Sequence, residues 1–160
     1  MTDNTPNTPN TPNTPPNADV NAPVELKDSV AMITGASSGI GIGVAEMMAS
    51  HGAHVVLTAR REKPMQELAD RLSAQYGITT LGLPCDGQAF VQTVNQAVEQ
   101  FGQIDVMVNN AGNAVAKPIH ESSIDEIDLQ IDVNLKGVAY GCHAVVPHMI
   151  QRKTGYIFNI

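Results

Sequence analysis

The residues that first suggest chemistry are three glycines and two serines within eight positions. Residues 34–41 read TGASSGIG, between the apolar run 30–33 and a segment whose apolar residues recur at helical spacing. This pattern predicts a strand, a tight glycine turn and a helix. Gly35 can adopt the positive φ of a sharp turn, Gly39 leaves room beside the backbone, and Gly41 lets helix and strand pack closely.

A turn of this kind is suited to binding phosphate. The free N–H groups at the helix start and the helix dipole attract an anion, and Ser37 and Ser38 add hydroxyl donors. The spacing is G-x-x-x-G-x-G, which differs from the G-x-G-x-x-G fingerprint, and the Gly-Lys-Ser/Thr of a triphosphate loop is absent from the sequence. Taken alone, the octapeptide fits either a pyrophosphate site or an ordinary structural turn.

Further apolar runs of strand length alternate with amphipathic segments, which predicts an α/β fold with a parallel sheet. The later predicted strands are 54–58, 79–83, 104–108 and 155–160. Glycines follow the first three predicted helices, as helix stops do. A long helix with an apolar stripe is predicted from about Ser123 to Arg152, and Pro147 can kink it.

Three motifs, in this order, resemble the short-chain dehydrogenase/reductase family: TGASSGIG at 34–41, NNAG at 109–112 and DVNLKG at 132–137. The resemblance extends from about Leu26 to the last residue. It implies a Rossmann-type doubly wound parallel sheet over residues 24–160, truncated after about the fifth strand. It also implies an oxidoreductase that interconverts a ketone and a secondary alcohol or hydroxy acid without a metal, and that is a homo-oligomer when complete.

The end of the second strand predicts which nicotinamide cofactor is used. An acidic residue at this point binds the ribose hydroxyls and repels a 2′-phosphate. Here the chain reads Thr58-Ala59-Arg60-Arg61, with two guanidinium groups and no acid. This favours NADP(H) over NAD(H), with Arg60 at the family's basic position. The alternative is that both arginines are solvated residues that open the next helix.

Later residues extend the predicted cofactor site. The resemblance implies that Asp86 reads the adenine amino group, although a loop-capping aspartate would look similar. It also implies that Asn110 contacts the cofactor and that Asn109 holds its strand, whereas an asparagine turn without a ligand has the same local pattern. The predicted cofactor-binding residues are Gly35, Ser37, Ser38, Gly39, Ile40, Gly41, Arg60, Arg61, Asp86, Asn110, Ala111 and Gly112.

Only one residue of the family's catalytic set is expected in this chain. The resemblance implies that Asn134 holds a water in a proton relay, while the default for a helical amide is to satisfy a backbone carbonyl. None of the three tyrosines is followed four positions later by a lysine. We therefore expect a fragment that lacks the catalytic Ser, Tyr and Lys and is inactive by itself. A non-catalytic nicotinamide-binding module and a non-functional remnant are the alternatives.

Composition limits the partners. The 160 residues are 42% apolar and carry a formal charge of −7, which suits one globular domain and argues against nucleic acid or an anionic membrane as partner. Cys85 and Cys142 lack metal-ligand spacing and are interpreted as buried thiols in a reducing cytoplasm.

Residues 4–15 repeat Asn-Thr-Pro, which predicts a disordered tail over 1–23. A recognition role for that tail stays open, although it lacks basic or aromatic anchors.

Overall fold

A computed structural model describes residues 25–85 and 89–160 of the protein. The predicted tail over 1–23 and the predicted adenine contact Asp86 lie outside the described residues.

Five parallel strands form one sheet in the described part of the chain, in the order β3-β2-β1-β4-β5. They are β1 (Val30–Thr34), β2 (His54–Ala59), β3 (Thr80–Pro84), β4 (Val106–Asn109) and β5 (Tyr156–Asn159). The order reverses between β1 and β4, where the carboxyl ends of parallel strands leave a crevice. The predicted α/β fold with a doubly wound parallel sheet is confirmed, and the strand ends differ from the predicted ones by two residues at most.

The α-helices of the described residues alternate with these strands. They are α1 (Ile40–Ser50), α2 (Glu62–Tyr76), α3 (Phe90–Phe101), α4 (Ile124–Ile131) and α5 (Gly137–Arg152). Helices α2 and α3 end at Gly77 and Gly102, which adopt left-handed φ values of 67° and 76°. The predicted glycine stops are therefore confirmed. No helix in the described ranges combines the length and the apolar character that crossing a membrane requires.

The long helix predicted over about 123–152 begins and ends as expected but is divided. Ser123 caps its start, since Oγ of Ser123 accepts a hydrogen bond from the Glu126 amide at 3.2 Å. A π-helical turn over Asp132–Lys136 then separates α4 from α5, and Pro147 lies inside α5. A π turn holds more residues than an α turn, so the side chains of α5 are rotated about the helix axis relative to the apolar side chains of α4. The apolar periodicity of the sequence did not indicate this turn.

Helices cover both faces of the sheet. On one face, alternate strand residues such as Ile33 and Leu57 pack with α1 and α2. On the other, Met32 and Val56 pack with α3 and α5. The alternation follows from the two-residue period of a strand, which sends successive side chains to opposite faces. The two layers hold the carboxyl ends of β1, β2 and β4 at one rim of the sheet.

Candidate active site

A cavity of about 880 Å³ lies at this rim of the sheet. Its floor and one side come from the glycine turn after β1, the end of β2 and the segment after β4, and the facing wall comes from α4, the π turn and α5. The predicted cofactor-binding residues that line it are Gly35, Ser37, Ser38, Ile40, Arg60, Arg61, Asn110, Ala111 and Gly112. Residues from three separate segments of the chain thus meet in one place.

The glycine turn leaves its amide groups open toward a ligand. Gly35 and Gly39 have φ values of 67° and 56°, which a residue with a Cβ rarely adopts. Among the described residues, no atom beyond the two adjoining residues lies within 4 Å of the position that a Cβ would take at Gly39, and no side chain caps the start of α1 there. Gly39 does not itself line the cavity. The helix start therefore has both the space and the uncapped end that a pyrophosphate requires.

Gly41 has a packing role. It is buried on α1, and a Cβ there would lie 2.6 Å from the Gly35 carbonyl oxygen and 2.7 Å from Nδ2 of Asn110. It does not line the cavity. The close approach expected at Gly41 is therefore present, and it involves the segment after β4 as well as the turn itself.

Thr34 joins the glycine turn to the segment after β4. Its Oγ1 accepts hydrogen bonds from the amides of Asn110 and Ala111 at 3.0 Å and 2.9 Å. The Nδ2 group of Asn110 donates to the Thr34 carbonyl oxygen at 2.9 Å. Sequence reasoning did not single out Thr34, although a threonine that ends a buried apolar strand was the available signal. These bonds fix the two motifs as one unit.

Arg60 and Arg61 place positive charge beside the glycine turn. Nη2 of Arg61 donates to the carbonyl oxygen of Ser37 at 3.2 Å and approaches its Oγ at 3.4 Å. Arg60 lines the same cavity. Both side chains are exposed, so their charges are available to a ligand. An anion between the arginines and the serines would gain charge-assisted hydrogen bonds.

Asn134 lies in the π turn and is exposed. Its Oδ1 accepts from the Asn113 amide at 2.8 Å, and its Nδ2 donates to the Asn113 carbonyl oxygen at 2.8 Å. Its neighbours Val133 and Lys136 line the cavity, whereas Asn134 does not. The side chain thus ties the loop after β4 to the π turn, which corresponds to the backbone-satisfying role that the sequence left open.

A charged pair on the facing wall was not foreseen. Nζ of Lys136 lies 2.6 Å from Oδ1 of Asp132, one turn earlier on the same helical segment. The hydrogen bond with Asp132 and its negative charge raise the pKa of Lys136 above its ordinary value. Tyr140 lines the cavity beside this pair. The only available signal was an acid four residues before a lysine, which is common on exposed helices.

The cysteines differ from the prediction. Cys85 and Cys142 are free thiols, and both are partly exposed rather than buried. Cys85 lines the cavity because it directly follows β3 at the same rim. Within the described residues, no three His, Cys, Asp or Glu side chains lie close enough together to hold a metal ion.

Comparison with known proteins agrees with this geometry. The family model for short chain dehydrogenases matches residues 29–160. An uncharacterized oxidoreductase of Staphylococcus saprophyticus is 40% identical over 140 residues, which are 86% of this chain and 60% of the relative. The first curated relatives are longer proteins, of which this chain spans between 55% and 60%.

Two solved structures show the same fold with different cofactors. A metagenomic short-chain oxidoreductase in complex with NADP is 36% identical with a TM-score of 0.77, over 84% of this chain and 62% of its own. A xylitol dehydrogenase bound to NAD+ is 26% identical with a TM-score of 0.79, over 84% of this chain and 53% of its own. The extent of the family match and the fold together show that the chain belongs to the short-chain dehydrogenase family.

Proposed function

We propose that residues 24–160 form the cofactor-binding part of an NADP(H)-dependent oxidoreductase, with residues 1–23 as a separate tail. The complete enzyme would interconvert a ketone and a secondary alcohol or hydroxy acid. The single observation that carries the choice of NADP(H) is the contact of Arg61 with Ser37, beside Arg60 in the same cavity. A 2′-phosphate there would meet two guanidinium groups and no carboxylate at the end of β2.

The rest of the cavity fits a dinucleotide. The uncapped start of α1 would hold the pyrophosphate, and the Asn110–Gly112 segment would let the cofactor approach the backbone. Asp86, which lies outside the described residues, is proposed as the adenine contact. The nicotinamide ring supplies the hydride when it is bound, and the protein binds and orients it.

The comparisons alone do not decide between the two cofactors, because one similar structure holds NADP and another NAD+. The positive charges of Arg60 and Arg61 favour NADP(H). Each arginine that contacts the 2′-phosphate would add a charge-assisted hydrogen bond, worth about 1.5–3 kcal/mol. NADH lacks this phosphate and gains nothing from the arginines.

Asn134 is proposed as the catalytic member of this chain, holding a water in a proton relay. The match of residues 132–137 to the family's third motif supports the proposal, and the hydrogen bonds with Asn113 hold Asn134 next to Val133 and Lys136, which line the cavity. No tyrosine of the sequence is followed four positions later by a lysine. We therefore expect the 160-residue chain to bind NADPH without reducing ketones efficiently, which is also how a non-catalytic binding module would behave.

Calorimetric titration of NADPH and NADH into the 160-residue chain tests the proposal. NADPH should bind at least about tenfold more tightly, and Arg61→Ala should weaken NADPH binding by about ten- to a hundredfold while leaving NADH binding unchanged. Arg71→Ala is the matched control, because it removes the same charge from α2 but pairs with Glu46 outside the cavity. Equal affinities for the two cofactors would contradict the NADP(H) assignment.

A further inference from the structure

The last residue of β4, Asn109, directly precedes the segment Asn110–Gly112, which lines the cavity. Its side chain is 2% exposed and lies between the end of β5 and α5. Its Nδ2 donates to Oδ1 of Asn159 at 2.8 Å and approaches Sγ of Cys142 at 3.5 Å. Its carbonyl oxygen accepts from the amide of Ile160 at 3.0 Å. The carboxyl ends of β4 and β5 are thereby joined through both the backbone and a side-chain bridge.

Gly141 on α5 provides the space that this side chain occupies. A Cβ at Gly141 would overlap Oδ1 of Asn109 and would come within 3.0 Å of Cε of Met107. Oδ1 is buried without a hydrogen-bond partner among the described residues, so the amide is held by its Nδ2 contacts and by the fit against the helix. Because protein interiors are close-packed, any larger residue at 141 must displace either the amide or α5.

The opposite side of the same segment is just as tightly packed. A Cβ at Gly35 would lie 2.8 Å from Cα of Ala111, and one at Gly41 would lie 2.7 Å from Nδ2 of Asn110. The end of β4 is therefore in close contact with glycines on two sides. Gly35 and Gly41 approach it from the glycine turn, and Gly141 approaches it from α5. Because these contacts leave little room on the two packed sides, we expect a displacement of Asn109 to move the residues that follow, which line the cavity.

We propose that Gly141 and Asn159 are positioning residues for dinucleotide binding, because they fix Asn109 and, through it, the adjoining wall of the cavity. The inference rests on the proposed function, since it takes the cavity to be the nicotinamide dinucleotide site. Neither Gly141 nor Asn159 lines the cavity, so both act through the segment after β4.

The first test removes the bridge at an exposed position. Asn159→Ala deletes the oxygen that accepts from Nδ2 of Asn109 and should weaken NADPH binding by about three- to tenfold, the factor that corresponds to one hydrogen bond. Asn159→Asp keeps an acceptor oxygen and should restore the affinity to within about twofold. This rescue separates a positioning role from a loss of side-chain packing.

The second test closes the space on α5. Gly141→Ala should weaken NADPH binding by at least about tenfold, because it displaces the amide of Asn109 directly. Gly43→Ala is the matched control, since a Cβ at this helical glycine meets no atom of another element within 4 Å in the part of the chain that the structure describes. Ile78→Val, in the core far from the cavity, should lower the melting temperature without changing the dissociation constant measured well below it.

The outcomes distinguish this inference from the proposed function. If the unmodified chain does not bind NADPH, both fail together. If it binds, but Asn159→Ala and Gly141→Ala bind equally well, only the positioning role is overturned. If Gly141→Ala does not fold, the difference in NADPH affinity between Asn159→Ala and Asn159→Asp decides whether the positioning role holds.

Discussion

The strand and helix unit over residues 30–76 is much better covered than residues 119–160, although both are rich in apolar residues. All five residues of β1 and five of the six in β2 are buried, and α1 and α2 each bury four residues. In the second region, α5 also buries four residues, but α4, the π turn and β5 bury none. Ile124 and Leu135 are 71% and 66% exposed there.

The difference shows that an apolar stripe is buried only where a second layer lies opposite it. β1 has a hydrogen-bonded strand on each side and a helix layer on each face, whereas β5 pairs with β4 alone among the described strands. The glycine turn and the arginines belong to the well-covered region. Asn134 and Lys136 belong to the sparsely covered one, so the two sides of the cavity are built on elements that differ in burial.

The largest expected effect is on the core of the first region. Leu57→Ala, at a residue that is 0% exposed, should lower the free energy of unfolding by about 2–5 kcal/mol, because it leaves a cavity between the sheet and its helices. The same change at Leu135 should cost less than about 0.5 kcal/mol. Urea denaturation of both variants measures the contrast. Equal costs would mean that the surface around Leu135 is covered in solution.

A smaller effect should come from the contact that anchors the second region. Arg152, at the end of α5, donates to Oδ1 of Asp105 at 2.7 Å and to the Ile104 carbonyl oxygen at 3.2 Å. Arg152→Met should lower the free energy of unfolding by about 1–3 kcal/mol, since it leaves these acceptors without their charged donor. Lys153→Met, the adjacent charge, is the control. No difference between the two variants in urea would show that α5 is held by packing alone.

The smallest effect is a pH dependence at the start of α4. The hydrogen bonds that Glu126 accepts from Lys117 and the Ser123 amide lower the pKa of its carboxyl from the ordinary 4.5. The resulting stabilisation is present above pH 4.5 and is lost as the pH falls through the lower, folded-state value. The Ser123 amide resonance should therefore shift at a midpoint below 4.5. Glu126→Gln should abolish this pH-dependent shift, and the control Asp125→Asn should retain it. A midpoint of the shift at or above pH 4.5 would argue against the Lys117 contact.

Local patterns predicted the elements of this fold well. Apolar runs bounded by glycines gave the strands and the ends of α2 and α3, because burial on both faces requires continuous apolar residues and a left-handed helix end favours glycine. The three motifs and the arginines at the end of β2 predicted one cofactor site, and the structure places residues from the glycine turn, the end of β2 and the segment after β4 around one cavity. Their roles in binding and catalysis stay predictions.

Contacts between distant segments could not be predicted from local patterns. The hydrogen bonds of Thr34 to Asn110 and the fit of Gly141 against Asn109 join residues that are separated by 76 and 32 positions in the chain. The same holds for the π turn, which places Asn134 against Asn113 and rotates α5 away from the stripe of α4. Periodicity carries no information on which distant backbone group will satisfy a side chain.

The sequence by itself determined the order of strands and helices along the chain, the tight glycine turn after β1 and the positive charge at the end of β2, because these depend on residues adjacent in the chain. Tertiary structure alone decided which apolar residues are buried and which glycines border the end of β4. Burial and close approach depend on the element that packs opposite, and that element comes from a distant part of the chain.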